Sequence, residues 1–318
     1  MPDGHDPDAP TVLPPDSPNA IGRMLGLLGD EWNLLIIQQA LLGASRYSQF
    51  MARLPISNSV LTNRLKILVR DGLLARRVHR STRARTEYLV TPRSRSLWPA
   101  LLSIWEWERN WVAEHREQLP AMHHETCGRP FAPLLRCEKC HSNVSVGDVA
   151  LDLGPSGEWE RSAPAAATRR RSDSDSTGRG AGMFPETMSV FGNRWAAALL
   201  VAAFLGTTRF TDFQTQLGAP PSLLAERLQT FCNIGVLTTS PAERTGPERA
   251  AYLLTAKGRA LFPVLAAALR WAQTWFHAPE GPAVVLSHRD CGATFTGELA
   301  CDQCTRQLVG AQISAVVT

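Results

Sequence analysis

The sequence predicts a mainly α chain with a small β content, an α+β protein built from two tandem copies of one unit. Three observations lead there: a long internal repeat, the same order of helices and hairpin inside each repeat, and a cysteine pattern that closes each one. The chain has 318 residues, 44% of them hydrophobic and 19% charged, which suits two domains with real cores.

The repeat fixes the domain count. Gly29-Asp30-Glu31-Trp32 recurs as Gly192-Asn193-Arg194-Trp195, and Arg46-Tyr47-Ser48-Gln49-Phe50 as Arg209-Phe210-Thr211-Asp212-Phe213. Arg64-Leu65 recurs as Arg227-Leu228, and Gly72-Leu73-Leu74 as Gly235-Val236-Leu237, all at a spacing of 163 residues. After one insertion near position 80 the spacing becomes 164, and Trp107 and Trp111 recur as Trp271 and Trp275. A period this long is a domain and not a solenoid unit. The stretch 153–182, rich in Gly, Pro, Ala and Ser with the run Arg169-Arg170-Arg171, reads as a flexible linker, and residues 1–18 as a disordered tail.

Within the first copy, Ile21–Leu42 is densely apolar at helical spacing and stops at Gly43. A short helix fits Tyr47–Leu54. Ser57 can cap the next, Asn58–Arg70, whose Val60, Leu61, Leu65 and Leu68 share a face. Leu73–Arg80 and Arg85–Val90 read as a hairpin around Ser81–Ala84. Thr91-Pro92 opens a last helix to about Glu117, with Pro at the permitted first position. This order is that of a winged helix-turn-helix, over 19–119 and again over 183–282.

Gly29-Asp30-Glu31-Trp32, Arg46-Tyr47-Ser48-Gln49-Phe50, Leu61-Thr62-Asn63-Arg64-Leu65, Asp71-Gly72-Leu73-Leu74, Tyr88-Leu89-Val90-Thr91-Pro92 and Trp107 together resemble the HxlR-type winged helix-turn-helix regulators of bacteria, in the MarR-like superfamily. The likeness covers Ala20–Trp111 and, more loosely, Thr187–Trp275. It implies binding to double-stranded DNA, commonly repression, dimers joined through the first and last helices, and a cytoplasmic, nucleoid-associated place in the cell. Some members carry a reactive cysteine just before the first helix, but Pro18-Asn19-Ala20 has none.

The copies differ in charge. Ser45–Arg95 holds twelve Lys or Arg against Asp71 and Glu87, whereas Thr208–Arg259 holds six against four acids. Neutralised phosphates supply much of the affinity for DNA. The expected contacts are Ser57, Asn58, Ser59, Thr62, Asn63 and Lys66 on the third helix, which enters the major groove in this fold, and Arg76, Arg77, Arg80, Arg83 and Arg85 on the wing. In the second copy Ser57 and Asn58 become Pro220 and Pro221, and Lys66 becomes Gln229, so it is expected to be a degenerate reader serving as partner domain. Either the copies pair within one chain or two chains form a homodimer. Arg64, kept as Arg227, is expected to be structural. The tryptophans of the last helices, including Trp98 and Trp105, are expected to pack in the core or a dimer surface, or else to form a wall for a small-molecule effector.

The pattern His-x2-Cys-x9-Cys-x2-Cys occurs twice, as His124, Cys127, Cys137, Cys140 and as His288, Cys291, Cys301, Cys304. Each Cys3His set suits a structural zinc, closing zinc ribbon-like modules over 120–152 and 283–318 with strands at Asn143–Val149 and Gln307–Ser314. His123 and His141 compete as fourth ligand, but their repeat mates are Ser287 and Thr305. Cys232 remains as a buried core thiol. Four filled positions leave no open site for catalysis, and no glycine-rich phosphate loop or nucleophile elbow occurs, so an enzyme is not expected. The alternative function is a zinc- or thiol-responsive protein-interaction module with residual DNA binding. The apolar stretch Trp195–Leu205 is about half the length a membrane helix needs, and Met1–Pro18 has no secretory pattern.

Overall fold

A computed structural model describes residues 9–79, 85–162, 184–240 and 250–316. The first copy runs β1 (Thr11–Val12), α1 (Ala20–Leu28), α2 (Glu31–Leu41), α3 (Tyr47–Arg53), α4 (Asn58–Arg70), β2 (Leu74–His79), β3 (Arg85–Val90), α5 (Pro92–Arg95) and α6 (Trp98–Trp111). Then come β4 (Ala121–His124), β5 (Arg129–Pro130), β6 (Pro133–Cys137), β7 (Val149–Leu153) and α7 (Trp159–Ser162). The second copy runs α8 (Pro185–Phe191), α9 (Arg194–Phe204), α10 (Phe210–Leu217), α11 (Pro221–Asn233), β8 (Leu237–Thr239), β9 (Tyr252–Leu254), α12 (Ala256–Arg259) and α13 (Phe262–Trp275). It ends with β10 (Phe276–His277), β11 (Val284–His288), β12 (Gly297–Cys301) and β13 (Ile313–Val316). Among the described residues no helix is long and apolar enough to cross a membrane.

The apolar stretch Ile21–Leu42 is two helices. Asp30 ends the first by capping the second, its side chain accepting from the Asn33 amide at 3.2 Å. The break lies where the copies meet. Asp30 bridges its repeat mate Asn193, and the Glu31 amide donates to the Gly192 carbonyl at 3.2 Å. A Cβ on Gly29 would sit 2.9 Å from the Arg194 Cα, and one on Gly192 would sit 3.2 Å from the Glu31 Cβ. The two repeated glycines thus permit the close approach of backbones. The last helix is also split, into α5 and α6, and ends at Trp111, short of Glu117.

The copies face each other about a pseudo-twofold axis and share one apolar core. Near the axis Leu25, Leu28, Phe191, Val201, Val264 and Leu265 surround a void of only about 30 Å³, so the interface is closely filled. The tryptophans cross between the copies. Trp107 Nε1 donates to the Lys257 carbonyl at 3.0 Å, and its repeat mate Trp271 donates to the Arg93 carbonyl at 2.7 Å. Trp275 Nε1 donates to Ser96 Oγ at 2.8 Å, while Trp111 faces outward, the opposite copy lacking that hydroxyl because Ser96 is matched by Ala260. Trp105, Trp107, Trp271 and Trp275 are buried, as the packing reading expects.

Three expectations about order and modularity are corrected. The tail is not loose throughout: Thr11 pairs in parallel with Phe276, Leu13 is fully buried, and the Ala9 carbonyl accepts from Arg93 at 2.9 Å. The start of the expected linker is also held. Asn19 Nδ2 donates to the Ser156 carbonyl and to Ser162 Oγ, both at 2.6 Å, which ties α7 to α1. The remaining linker, 163–183, including Arg169-Arg170-Arg171, lies outside the described residues.

The third correction concerns the two ribbon modules, which are not separate. Strand β6 pairs antiparallel with β12, Leu135 opposite its repeat mate Leu299. β4 pairs with β13 and β7 with β11, each joining one copy to the other. The strands expected at Asn143–Val149 and Gln307–Ser314 start as isolated bridges within each copy, Asn143 to Arg136 and Gln307 to Ala300, and become continuous strands at Val149 and Ile313, where they pair with the opposite copy.

Candidate nucleic-acid interface and metal clusters

The helix α4 is held from below. Leu61, Leu65 and Leu68 are buried, and Arg64 Nη2 meets Asp30 Oδ2 at 2.6 Å, anchoring α4 to the cap of α2. Arg64 therefore has the expected structural role. In the second copy Asn193 stands where Asp30 is, and Arg227 pairs instead with Glu226 at 3.4 Å. With the apolar face down, Ser57, Asn58, Ser59, Thr62, Asn63 and Lys66 all lie exposed on the opposite face. Ser57 caps the helix through the Val60 amide at 3.4 Å and contacts Ser59 Oγ at 3.2 Å.

Tyr47, absent from the expected contacts, organises this face. Its hydroxyl donates to Asn58 Oδ1 at 2.9 Å or to the Asn58 carbonyl at 3.0 Å, and lies 3.4 Å from Thr62 Oγ1. The mate of Tyr47 is Phe210, which has no hydroxyl, and that difference was visible in the repeat.

In the wing, β2 pairs with β3 so that Arg76 opposes Tyr88 and Arg77 opposes Glu87, and both arginines are exposed. Arg80 and Arg83 lie outside the described residues, as does the side chain of Arg85. On α11 the corresponding exposed face carries Pro221, Ser222, Ala225, Glu226 and Gln229, with one acid and no cation. Most of the second wing, 241–249, lies outside the described residues.

The cysteines and histidines converge on two clusters, each drawn from both copies. His124 and Cys127 meet Cys301 and Cys304, and Cys137 and Cys140 meet His288 and Cys291. The eight residues are those of the sequence pattern, but the grouping within each copy is corrected. The antiparallel pairing of β6 and β12 carries Cys137 and Cys301 past each other, so each Cys-x2-Cys turn reaches the other copy's His-x2-Cys turn.

In the first cluster His124 Nδ1 lies 3.5 Å from Cys127 Sγ and 3.4 Å from Cys304 Sγ, and Cys127 Sγ lies 4.0 Å from Cys301 Sγ. In the second, His288 Nδ1 lies 3.2 Å from Cys291 Sγ and 3.4 Å from Cys140 Sγ, with Cys137 Sγ 4.0 Å from Cys291 Sγ. A tetrahedron with metal–sulfur bonds near 2.3 Å and metal–nitrogen bonds near 2.0–2.1 Å puts sulfurs about 3.8 Å apart and sulfur and nitrogen about 3.6 Å apart. The sulfur separations are far too long for disulfides, and all seven cysteines are free.

Each half-site is a tight turn. Gly128 and Gly292 sit at φ +66° and +67° and donate to the His124 and His288 carbonyls at 2.8 Å. His141 and Thr305, at φ 60° and 58°, close the turns after Cys137 and Cys301. His141 turns its Nδ1 to Glu298 at 3.2 Å and is not among the donors brought together in either cluster. Hydrogen bonds from Ser142 bring the exposed Cys140 thiol down to about 6, while burial pushes Cys301 up to about 11. Cys232 is half-buried, not core as expected, and burial raises its thiol.

The HxlR-like helix-turn-helix family model matches residues 27–116 and 190–280, more than half of the chain. The chain belongs to the HxlR-like helix-turn-helix family, twice over. It is similar to an uncharacterised HTH-type transcriptional regulator of Mycobacterium bovis, 32% identical over 136 residues, covering 43% of this chain and 86% of the relative. It is also similar to the uncharacterised HTH-type transcriptional regulator YvaP of Bacillus subtilis, 36% identical over 91 residues, covering 28% of this chain and 84% of YvaP. Each relative spans about one copy. Among solved structures, PA1607, titled a transcription-factor candidate, aligns at 32% identity and a TM-score of 0.38 over 44% of this chain and 96% of its own. These relatives are transcription regulators, not enzymes.

Proposed function

We propose that the chain is a repressor that acts as its own dimer, with copy one reading duplex DNA and copy two serving as partner domain. The observation that favours this most is the contrast between equivalent faces: α4 presents Asn58, Thr62, Asn63 and Lys66 beside Arg76 and Arg77, and α11 presents a face with no cation. Small polar groups early in a reading helix can reach base edges, and wing arginines can neutralise phosphates. An unequal pair of heads fits a site with one specific half and one loosely held half, and not a palindrome read equally twice.

The two clusters fit structural zinc. Their donor sets are Cys3His, their spacings match a tetrahedron about 2.3 Å in metal–sulfur radius, and all four positions are protein ligands. His124, Cys127, Cys301 and Cys304 would hold one ion, and Cys137, Cys140, His288 and Cys291 the other. Zinc bound there would cross-link the copies, and strands β6 and β12 bring the two half-sites of each cluster together.

The test is DNA binding across a salt series. Removing one neutralised phosphate lowers the slope of log affinity against log salt by about 0.9. The double variant Arg76→Ala/Arg77→Ala should flatten the slope by about 1–2 units. An unchanged slope contradicts the wing assignment.

A further inference from the structure

The two clusters occupy equivalent places about the pseudo-twofold axis, yet their surroundings are unequal. Each has one fully buried thiol, Cys301 in the first and Cys137 in the second, and one fully buried histidine. The other thiols differ. Cys127 and Cys304 are half-buried and packed against the core, whereas their mates Cys291 and Cys140 are exposed.

The cause is local. The first cluster is covered by a three-stranded sheet, β13-β4-β5, the second by the two-stranded pair β11-β7. Both share the backbone ties that symmetry requires: Glu125 to Gln312 and Arg289 to Asp148, then Asp302 to Ala132 and Glu138 to Thr296. The first adds two side-chain bonds, Thr126 Oγ1 to Gln312 Oε1 at 3.2 Å and the Ala132 amide to Asp302 Oδ1 at 2.9 Å. At the mates of these residues, Asp290 Oδ2 lies 4.0 Å from His288 Nε2 and Glu138 pairs with Arg270 at 3.4 Å, so the equivalent bonds are not made among the described residues; the second cluster has instead the His141–Glu298 contact at 3.2 Å beside the exposed Cys140.

We infer that the clusters hold their ions unequally: the His124/Cys127/Cys301/Cys304 cluster retains its ion, and the Cys137/Cys140/His288/Cys291 cluster exchanges it with the surroundings. This rests on the reading of both as zinc sites. A competing ligand must approach a thiolate before the ion leaves, and only the second cluster offers two thiolates at the surface. The two clusters bind opposite ends of the β6–β12 pair, since Cys137 opposes Gly297 and Cys301 opposes Pro133. Loss of the second ion therefore leaves the copies joined at the first. The result is one permanent cross-link and one site that reports the supply of a thiophilic divalent cation.

The test uses the full chain loaded with zinc and a coloured zinc chelator, with iodoacetamide labelling and peptide mass analysis at each time point. One zinc per chain should leave at least about tenfold faster than the other, a barrier difference of about 1.4 kcal/mol. Cys140 and Cys291 should be alkylated in the fast phase, with Cys127 and Cys304 protected until the slow one. Both ions leaving at one rate, or Cys127 and Cys304 being labelled first, overturns the inference. A chain that binds fewer than two zinc ions at saturation overturns the zinc reading beneath it, which the loading measurement reports before any chelator is added.

Discussion

Replacing Trp107 and Trp271 one at a time by phenylalanine tests how the copies are joined. Both indoles cross the pseudo-twofold axis to a main-chain carbonyl, and phenylalanine keeps much of the ring while removing the N–H. The acceptors are not equally supported. The Arg93 carbonyl that receives Trp271 also accepts from Ser96 Oγ at 2.9 Å, so it keeps a partner. Lys257 receives Trp107 at 3.0 Å and has no second donor to its carbonyl among the described residues. Losing one bond of a supported acceptor costs about 0.5–1.5 kcal/mol, and leaving the part-buried Lys257 carbonyl without its donor about 1–3 kcal/mol. Trp107→Phe should therefore destabilise more than Trp271→Phe. Taking about 2 kcal/mol for the first, at about 2–4 °C per kcal/mol, the melting temperature should fall by about 4–8 °C. Trp111→Phe, at an exposed position, should move it by less than about 2 °C, within the about 0.5 kcal/mol typical of surface changes. Thermal and urea unfolding of the three variants read this directly. Equal stability of all three with the parent chain, or a larger loss for Trp271→Phe, refutes the crossed hydrogen bonds.

Tyr47→Phe removes the hydroxyl that fixes Asn58 and Thr62 and makes copy one match copy two at that position; specific DNA affinity should drop by about 0.5–1.5 kcal/mol, with the salt slope unchanged, in a binding titration. Burial raises the carboxyl of Glu298, but the hydrogen bonds and charges of Arg136 and His141 outweigh it and hold it below the ordinary carboxylate range. The stability it contributes is present above its ordinary pKa and lost as pH falls through the depressed one. Glu298→Gln should lower stability at neutral pH and shrink the loss on acidification, measured by urea unfolding from pH 7 to pH 3.

Much of this fold was legible because the chain states it twice. The repeat located both winged helices, the buried stripe of α4 and all eight residues of the two Cys/His clusters. The break at Asp30 was hidden because apolar residues continue at helical spacing across it; the Asp30 cap that makes it was in the sequence, and the contact with Gly192 and Arg194 that it faces comes from the other copy. The crossed grouping of the cysteines was hidden for the same reason: spacing along the chain gives each half-site, but strand pairing decides which halves meet. Tyr47 was overlooked because its role depends on α3 lying beside α4. Its replacement by Phe210 was the available signal.

The most direct test of the account is the native mass of the chain alone and bound to a duplex recovered from genomic fragments. One chain per bound duplex, with protection concentrated on one half of the site, is the predicted result. Two chains per duplex protecting two equal half-sites would contradict a single chain serving as its own unequal pair.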